Sequence, residues 1–243
     1  MARRIDLEKR VREAVRFFWR TRKGQSTAGK AGDQGERSAA TGGAQMDGFV
    51  NLAHDLLLET GVPSDAIFRK KKIELPGFFR PEKQWDLLVV CQGHLLAGVE
   101  MKSHIGPSFG NNYNNRTEEA LGNATDLWTA YREGAFQISK WPWLGYLMLL
   151  EDTERSQKPV KNREPHFRVF EEFCGASYAR RYELLLTRLL RERLYDGGAL
   201  LLSERGRGLK QGAYREPLQE LSFGLFVQNM IAAVLGHLKQ LDF

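Results

Sequence analysis

Residues 85–102 read WDLLVVCQGHLLAGVEMK. Two apolar runs, Trp85–Cys91 and Leu95–Lys102, are each short enough for a buried strand, and Gln-Gly-His joins them in a turn that Gly93 makes easy. Three charges stand inside this apolar stretch: Asp86 interrupts the first run, and Glu100 and Lys102 end the second. A buried charge is expensive unless it is paired or bound to metal. Alternate strand residues share a face, so Glu100 and Lys102 point one way and Met101 the other. Pairing Cys91 with Leu95 around a three-residue turn sets Asp86 directly opposite Glu100. A two-residue turn instead sets Trp85 opposite Glu100 and sends the two acids to different faces. Bringing the acids together therefore requires an odd-length turn or a bulge.

Such a trio suits phosphodiester hydrolysis. Two carboxylates and a backbone carbonyl hold Mg²⁺ through hard oxygen ligands, and the ion stabilises charge on phosphoryl oxygens. A lysine beside the ion orients or deprotonates the attacking water, or neutralises developing negative charge. The bland alternative is an intrastrand Glu–Lys pair beside an isolated Asp.

Outward from this hairpin, residues 5–22 form an amphipathic helix with Ile5, Val11, Val15, Phe18 and Trp19 on one stripe. The Gly-, Ser- and Ala-rich stretch 24–45 reads as a mobile loop. A second helix covers Met46–Thr60 and stops at Gly61 and Pro63; its Asp47, Asn51 and Asp55 are candidates for a further metal-shell group. Ala66–Leu75, with the basic run RKKK at 69–72, reads as a partly exposed strand. Beyond the hairpin, a polar loop leads to a helix from about Asn115 to Glu133, with a buried stripe that includes Ala120, Ala124, Leu127 and Trp128. Trp143–Leu150 is a third buried strand. A helix follows at 178–195, a short strand at 199–202, a basic loop through 205–215 and a final helix at 218–241. The strands lie too close together for an all-parallel sheet. The expected fold class is α/β: a mixed central sheet flanked by helices in one domain, with the catalytic core at about 46–152 and a helical part at 165–243.

The chain has 243 residues, net charge +6 and pI near 9.3. That is enough length for a full core and a lean toward a polyanionic partner. No run is apolar enough to span a membrane, and the N-terminus MARRIDLEKR lacks a signal-peptide core. Cys91 and Cys174 make neither a disulfide framework nor a zinc site. A cytoplasmic, bacterial location is the expectation.

Residues 99–136, VEMKSHIGPSFGNNYNNRTEEALGNATDLWTAYREGAF, closely resemble the XhoI-type restriction endonucleases, and the likeness extends across most of the chain. That resemblance implies a PD-(D/E)xK nuclease core with Asp86, Glu100 and Lys102 as the catalytic trio and Asp86 and Glu100 as metal ligands. Trp85 stands where the superfamily pattern has Pro. It further implies a Mg²⁺-dependent type II enzyme that recognises CTCGAG, cuts after the first C and leaves four-base 5′ overhangs. Its partners would be double-stranded DNA and a cognate DNA methyltransferase acting on the same site.

Between the active strand and the helix, His104, Ser108, Asn111, Asn112, Tyr113, Asn114, Asn115 and Arg116 are the candidate DNA-binding residues. Asn pairs with adenine, Arg with guanine, and helix N-terminal amides suit phosphate. The rival account is a turn-rich loop whose asparagines serve left-handed positions. The basic runs at 69–72 and 205–215 suit phosphate contacts. A palindromic target cut on both strands calls for two active sites about a two-fold axis, hence a homodimer. The competing functions are a repair or recombination nuclease on the same scaffold and a non-catalytic DNA-binding regulator.

Overall fold

The computed structural model describes residues 2–28, 44–136 and 140–241. Helices α1 (Ala2–Ala28) and α2 (Asp47–Glu59) precede five strands: β1 (Ile67–Phe68), β2 (Glu74–Pro76), β3 (Glu82–Gln84), β4 (Leu87–Cys91) and β5 (His94–His104). Helix α3 (Phe109–Arg132) returns the chain to β6 (Trp143–Glu151). The short α4 (Glu154–Gln157) and then α5 (Tyr178–Arg191) lead to β7 (Gly197–Ser203), and α6 (Arg205–Gln211) and α7 (Phe223–Leu241) close the fold.

The main sheet has the order β1-β4-β5-β6-β7, antiparallel from β1 through β5 and parallel from β5 through β7. Strands β2 and β3 form a separate antiparallel hairpin. All nine residues of β6 are buried, as expected for a central parallel strand covered on both faces. One face packs Leu87, Val89, Val99, Met101, Leu147 and Leu149 against α1, α2 and α7. The other packs Leu88, Tyr146, Met148 and Leu150 against α3 and α5. The Trp143 ring lies across its neighbours so closely that a Cβ on Gly145 or Gly197 would come within 2.4 or 2.3 Å of it.

Several expectations need correction. Ala66–Leu75 is not one strand. It breaks after Phe68, and Lys70 and Lys72 adopt left-handed φ of 66° and 56°, so the basic run forms a turn that keeps its long cations in water. Helix α3 starts at Phe109, not near Asn115, so the asparagines lie on its first turns. Phe109 and Tyr113 are four residues apart and bury against the tyrosines of α5. That packing outweighs the weak helix propensity of Asn. The supposed basic loop contains α6, which ends at Gly212 in the left-handed conformation. Of the stretch read as a mobile loop, residues 24–28 belong to α1 and residues 44–46 form a 3₁₀ turn, while 29–43 lie outside the described residues. No described helix is long and apolar enough to cross a membrane.

Candidate active site

The turn between β4 and β5 has two residues, Gln92 and Gly93, both with positive φ (51° and 80°), and it sets Cys91 opposite His94. Alone, this tight turn would send Asp86 and Glu100 to opposite faces. A bulge reverses the outcome. Val90 pairs with Leu95 but Val89 pairs with Ala97, so Leu96 is the extra residue, and beyond it Leu87 pairs with Val99. Asp86 thereby arrives opposite Glu100. Its backbone N–H donates to the Val99 carbonyl at 3.1 Å, and its carboxylate accepts the Met101 N–H at 2.6 Å. Val99 and Met101 enter the core under α1 and α2, so Glu100, Lys102 and His104 share the face beneath α3 and α5.

Glu100 is 2% exposed, and each of its oxygens meets an ammonium. Lys102 pairs with Oε1, and Lys83 Nζ lies 2.6 Å from Oε2. Lys83 also donates to the Gln84 carbonyl at 2.6 Å and sits 4.3 Å above the Trp85 ring. Sequence reading missed Lys83. Its only signal is a lysine three residues before Asp86, and nothing in a three-residue strand announces that β3 folds over the sheet toward Glu100.

The electrostatics follow from burial. Desolvation, then the Glu100 charge, raises the Asp86 carboxyl to about 6 against the pull of Lys102. Burial alone would also raise Glu100, yet the charges of Lys83 and Lys102 hold it below the ordinary glutamate value. Burial pushes Lys83 below the ordinary lysine value, whereas Glu100 and Asp86 hold Lys102 above it. Tyr146 is paired with Glu100 across the β5–β6 ladder, and its buried hydroxyl lacks a hydrogen-bond partner among the described residues.

The candidate DNA-binding residues divide into two groups. Ser108, Asn111, Asn114 and Asn115 are exposed, and Asn112 and Arg116 are half-buried, with Arg116 paired to Glu119. His104 and Tyr113 are turned inward. His104 is 1% exposed; its Nδ1 lies 2.7 Å from the Tyr182 hydroxyl and its ring packs on Phe109. Tyr113 is also buried and donates to the Arg181 carbonyl at 3.3 Å. Both are part of the aromatic packing between α3 and α5, which removes them from the surface that could meet a duplex. The loop that lifts Ser108 out is tethered by Glu151, which accepts the Gly106 N–H at 2.9 Å. The α2 candidates serve other ends: Asp47 pairs with Lys70 at 2.9 Å, Asn51 accepts from Arg69 and Asp55 meets His54.

A divalent cation fits this site. Asp86 and Glu100 offer hard oxygen donors from facing strand positions, and burial together with the Glu100 charge disfavours the Asp86 anion, a cost that a cation would relieve. On Glu100, the Lys83 ammonium occupies a place suited to positive charge. Among the described residues no third His, Cys, Asp or Glu joins them, which leaves the remaining ligands to backbone, water and substrate.

The family model described as "Restriction endonuclease XhoI" matches residues 24–216, a span that holds the whole site. The chain is 52% identical to the type II restriction enzyme BstVI of Geobacillus stearothermophilus, over 83% of this chain and 92% of that one. It is 44% identical to the type II restriction enzyme XhoI of Xanthomonas vasicola, over 76% of each chain. Identity to the type II restriction enzyme AbrI of Azospirillum brasilense is 49%, over 67% of this chain and 75% of that one. No solved structure matches. With a family match across most of its length and an acidic pair and lysine set on one sheet face, the chain belongs to the XhoI family of type II restriction endonucleases.

Proposed function

We propose that this protein cuts both strands of DNA at the palindrome CTCGAG, after the first C, in a Mg²⁺-dependent reaction carried out by a homodimer. The observation that carries the reading is the bulged register that brings Asp86 opposite Glu100 with Lys102 alongside. The choice of palindrome rests on the similarity to the XhoI enzyme.

Asp86 and Glu100 would hold Mg²⁺, which would supply Lewis-acid stabilisation of charge on the phosphoryl oxygens. The protein's own groups do the rest. Met101 N–H fixes the Asp86 carboxylate. Lys102, on the same face as Glu100, holds an ammonium beside the scissile phosphate, where it orients the attacking water and offsets developing negative charge. The first turns of α3 leave directly from the catalytic strand, and they present Asn111, Asn114 and Asn115 to the grooves. Arg116, behind them, suits a phosphate or guanine contact. A two-fold axis through the dimer gives each strand its own site.

Digestion of a sequenced plasmid tests the proposal. Discrete fragments with mapped 5′ ends inside CTCGAG, formed with Mg²⁺ and suppressed by EDTA, are expected. A featureless smear, cuts at other sequences or metal-independent cleavage would refute it.

A further inference from the structure

We propose that Lys83 is a positioning residue of the site: its ammonium holds the Glu100 carboxylate until a divalent cation takes that carboxylate over, so lysine and cation compete for one oxygen. The inference rests on the nuclease reading above and adds to it a determinant of cation affinity.

Geometry carries the argument. Both Glu100 oxygens are engaged, Oε1 by Lys102 and Oε2 by Lys83 at 2.6 Å. Glu100 is 2% exposed, so water cannot substitute freely for either partner. A cation that binds Glu100 therefore displaces an ammonium from it. The two lysines are not equally placed to leave. Lys102 belongs to the central strand β5, two residues beyond Glu100, and its backbone is paired with Met148 of β6. Lys83 comes from β3, a three-residue strand in a hairpin outside the main sheet. It also has partners in reserve: the Gln84 carbonyl at 2.6 Å and the Trp85 ring at 4.3 Å. An ammonium that gives up Glu100 keeps a carbonyl acceptor and an aromatic face as partners.

The charge count agrees. With both lysines and both carboxylates charged, the four groups sum to zero, so the cation-free cluster is neutral and self-contained. A divalent ion and one phosphate then add a net positive charge, which Coulomb repulsion minimises if Lys83 withdraws from Glu100. Among the described residues no ammonium pairs with Asp86, which accepts the Met101 N–H. It is the oxygen donor first open to an arriving ion.

The test is Mn²⁺ binding by isothermal titration calorimetry on the full-length, DNA-free protein at pH 7.5, comparing wild type with Lys83→Met and Lys83→Arg. Removing the competing ammonium should tighten Mn²⁺ binding by about tenfold or more in Lys83→Met. Lys83→Arg keeps a cation on Glu100 and should stay within about threefold of wild type. On the wild-type protein, labelling of Lys83 by an amine-reactive reagent, read by mass spectrometry, should rise on saturation with Mn²⁺; this arm holds even if Lys83→Met fails to fold. Unchanged or weaker Mn²⁺ affinity in folded Lys83→Met, or Lys83 labelling indifferent to Mn²⁺, overturns the role of Lys83 and leaves the nuclease reading standing. Wild-type protein that neither binds Mn²⁺ nor cleaves DNA overturns both.

Discussion

Asp86→Asn should stabilise the metal-free protein at neutral pH while abolishing cleavage. In the folded chain the Asp86 carboxyl titrates near 6, above its ordinary 3.8, because burial and then the Glu100 charge disfavour its anion. The folded state thus binds this proton more tightly than the unfolded state does. The favourable contribution of the protonated form is complete below about 4 and is lost as pH rises through 6. The interval corresponds to roughly 3 kcal/mol of destabilisation at pH 7–8 that a neutral amide of the same shape would avoid. For a chain of this length that is a rise in Tm of roughly 6–12 °C. The amide oxygen still accepts the Met101 N–H, so the local backbone is kept. Denaturant unfolding of both proteins in EDTA from pH 4 to pH 8 measures the effect. The gain should be largest at pH 8 and vanish near pH 4. Adding Mg²⁺ should stabilise wild type by mass action and leave Asp86→Asn nearly unmoved. A variant no more stable than wild type at pH 8, or a gain equally large at pH 4, would show that burial and the Glu100 charge do not disfavour the Asp86 anion.

Glu100→Gln and Lys102→Ala should each reduce plasmid cleavage by about a hundredfold or more, with duplex binding in a gel-shift assay retained; activity near wild type in either would remove that residue from the trio. His104, lowered to about 4 by burial and then by the Arg116 charge, is favoured neutral in the fold. Its contribution is complete above 6.5 and is lost as pH falls through 4, so the stability of His104→Gln relative to wild type should improve by up to about 3 kcal/mol between pH 7 and pH 4. A flat difference across that range would place His104 in contact with water. Asp126 accepts the Phe78 and Phe79 N–H groups at 2.8 Å each and pairs with Arg80 at 2.7 Å, anchoring the β2–β3 hairpin to α3. Asp126→Ala should cost about 2–3 kcal/mol in denaturant unfolding; an unchanged midpoint would refute the anchor.

The strands of the core, and the charged residues that meet on one face of them, were legible in the sequence. Apolar runs at 85–91, 95–102 and 143–150 announce buried strands because little else buries such short segments. Charges inside them announce a site because burial makes unpaired charge costly. The need for a bulge or odd turn also followed from strand periodicity, though not which of the two. The two-residue turn at Gln92–Gly93 and the extra residue at Leu96 are a choice made by packing, since Leu96 and Ala97 both enter the core beneath α1 and α2. Helix α3 begins six residues earlier than its local pattern suggests because Phe109 and Tyr113 find tyrosines of α5, about seventy residues away in the chain. The same contacts take His104 and Tyr113 out of the candidate DNA surface. Lys83 reaches Glu100 only because a short hairpin outside the main sheet folds back over it. Periodicity is a local property, so one strand's alternation fixes which residues share its face. Which distant side chain meets that face depends on how separate elements pack, and no local pattern encodes that.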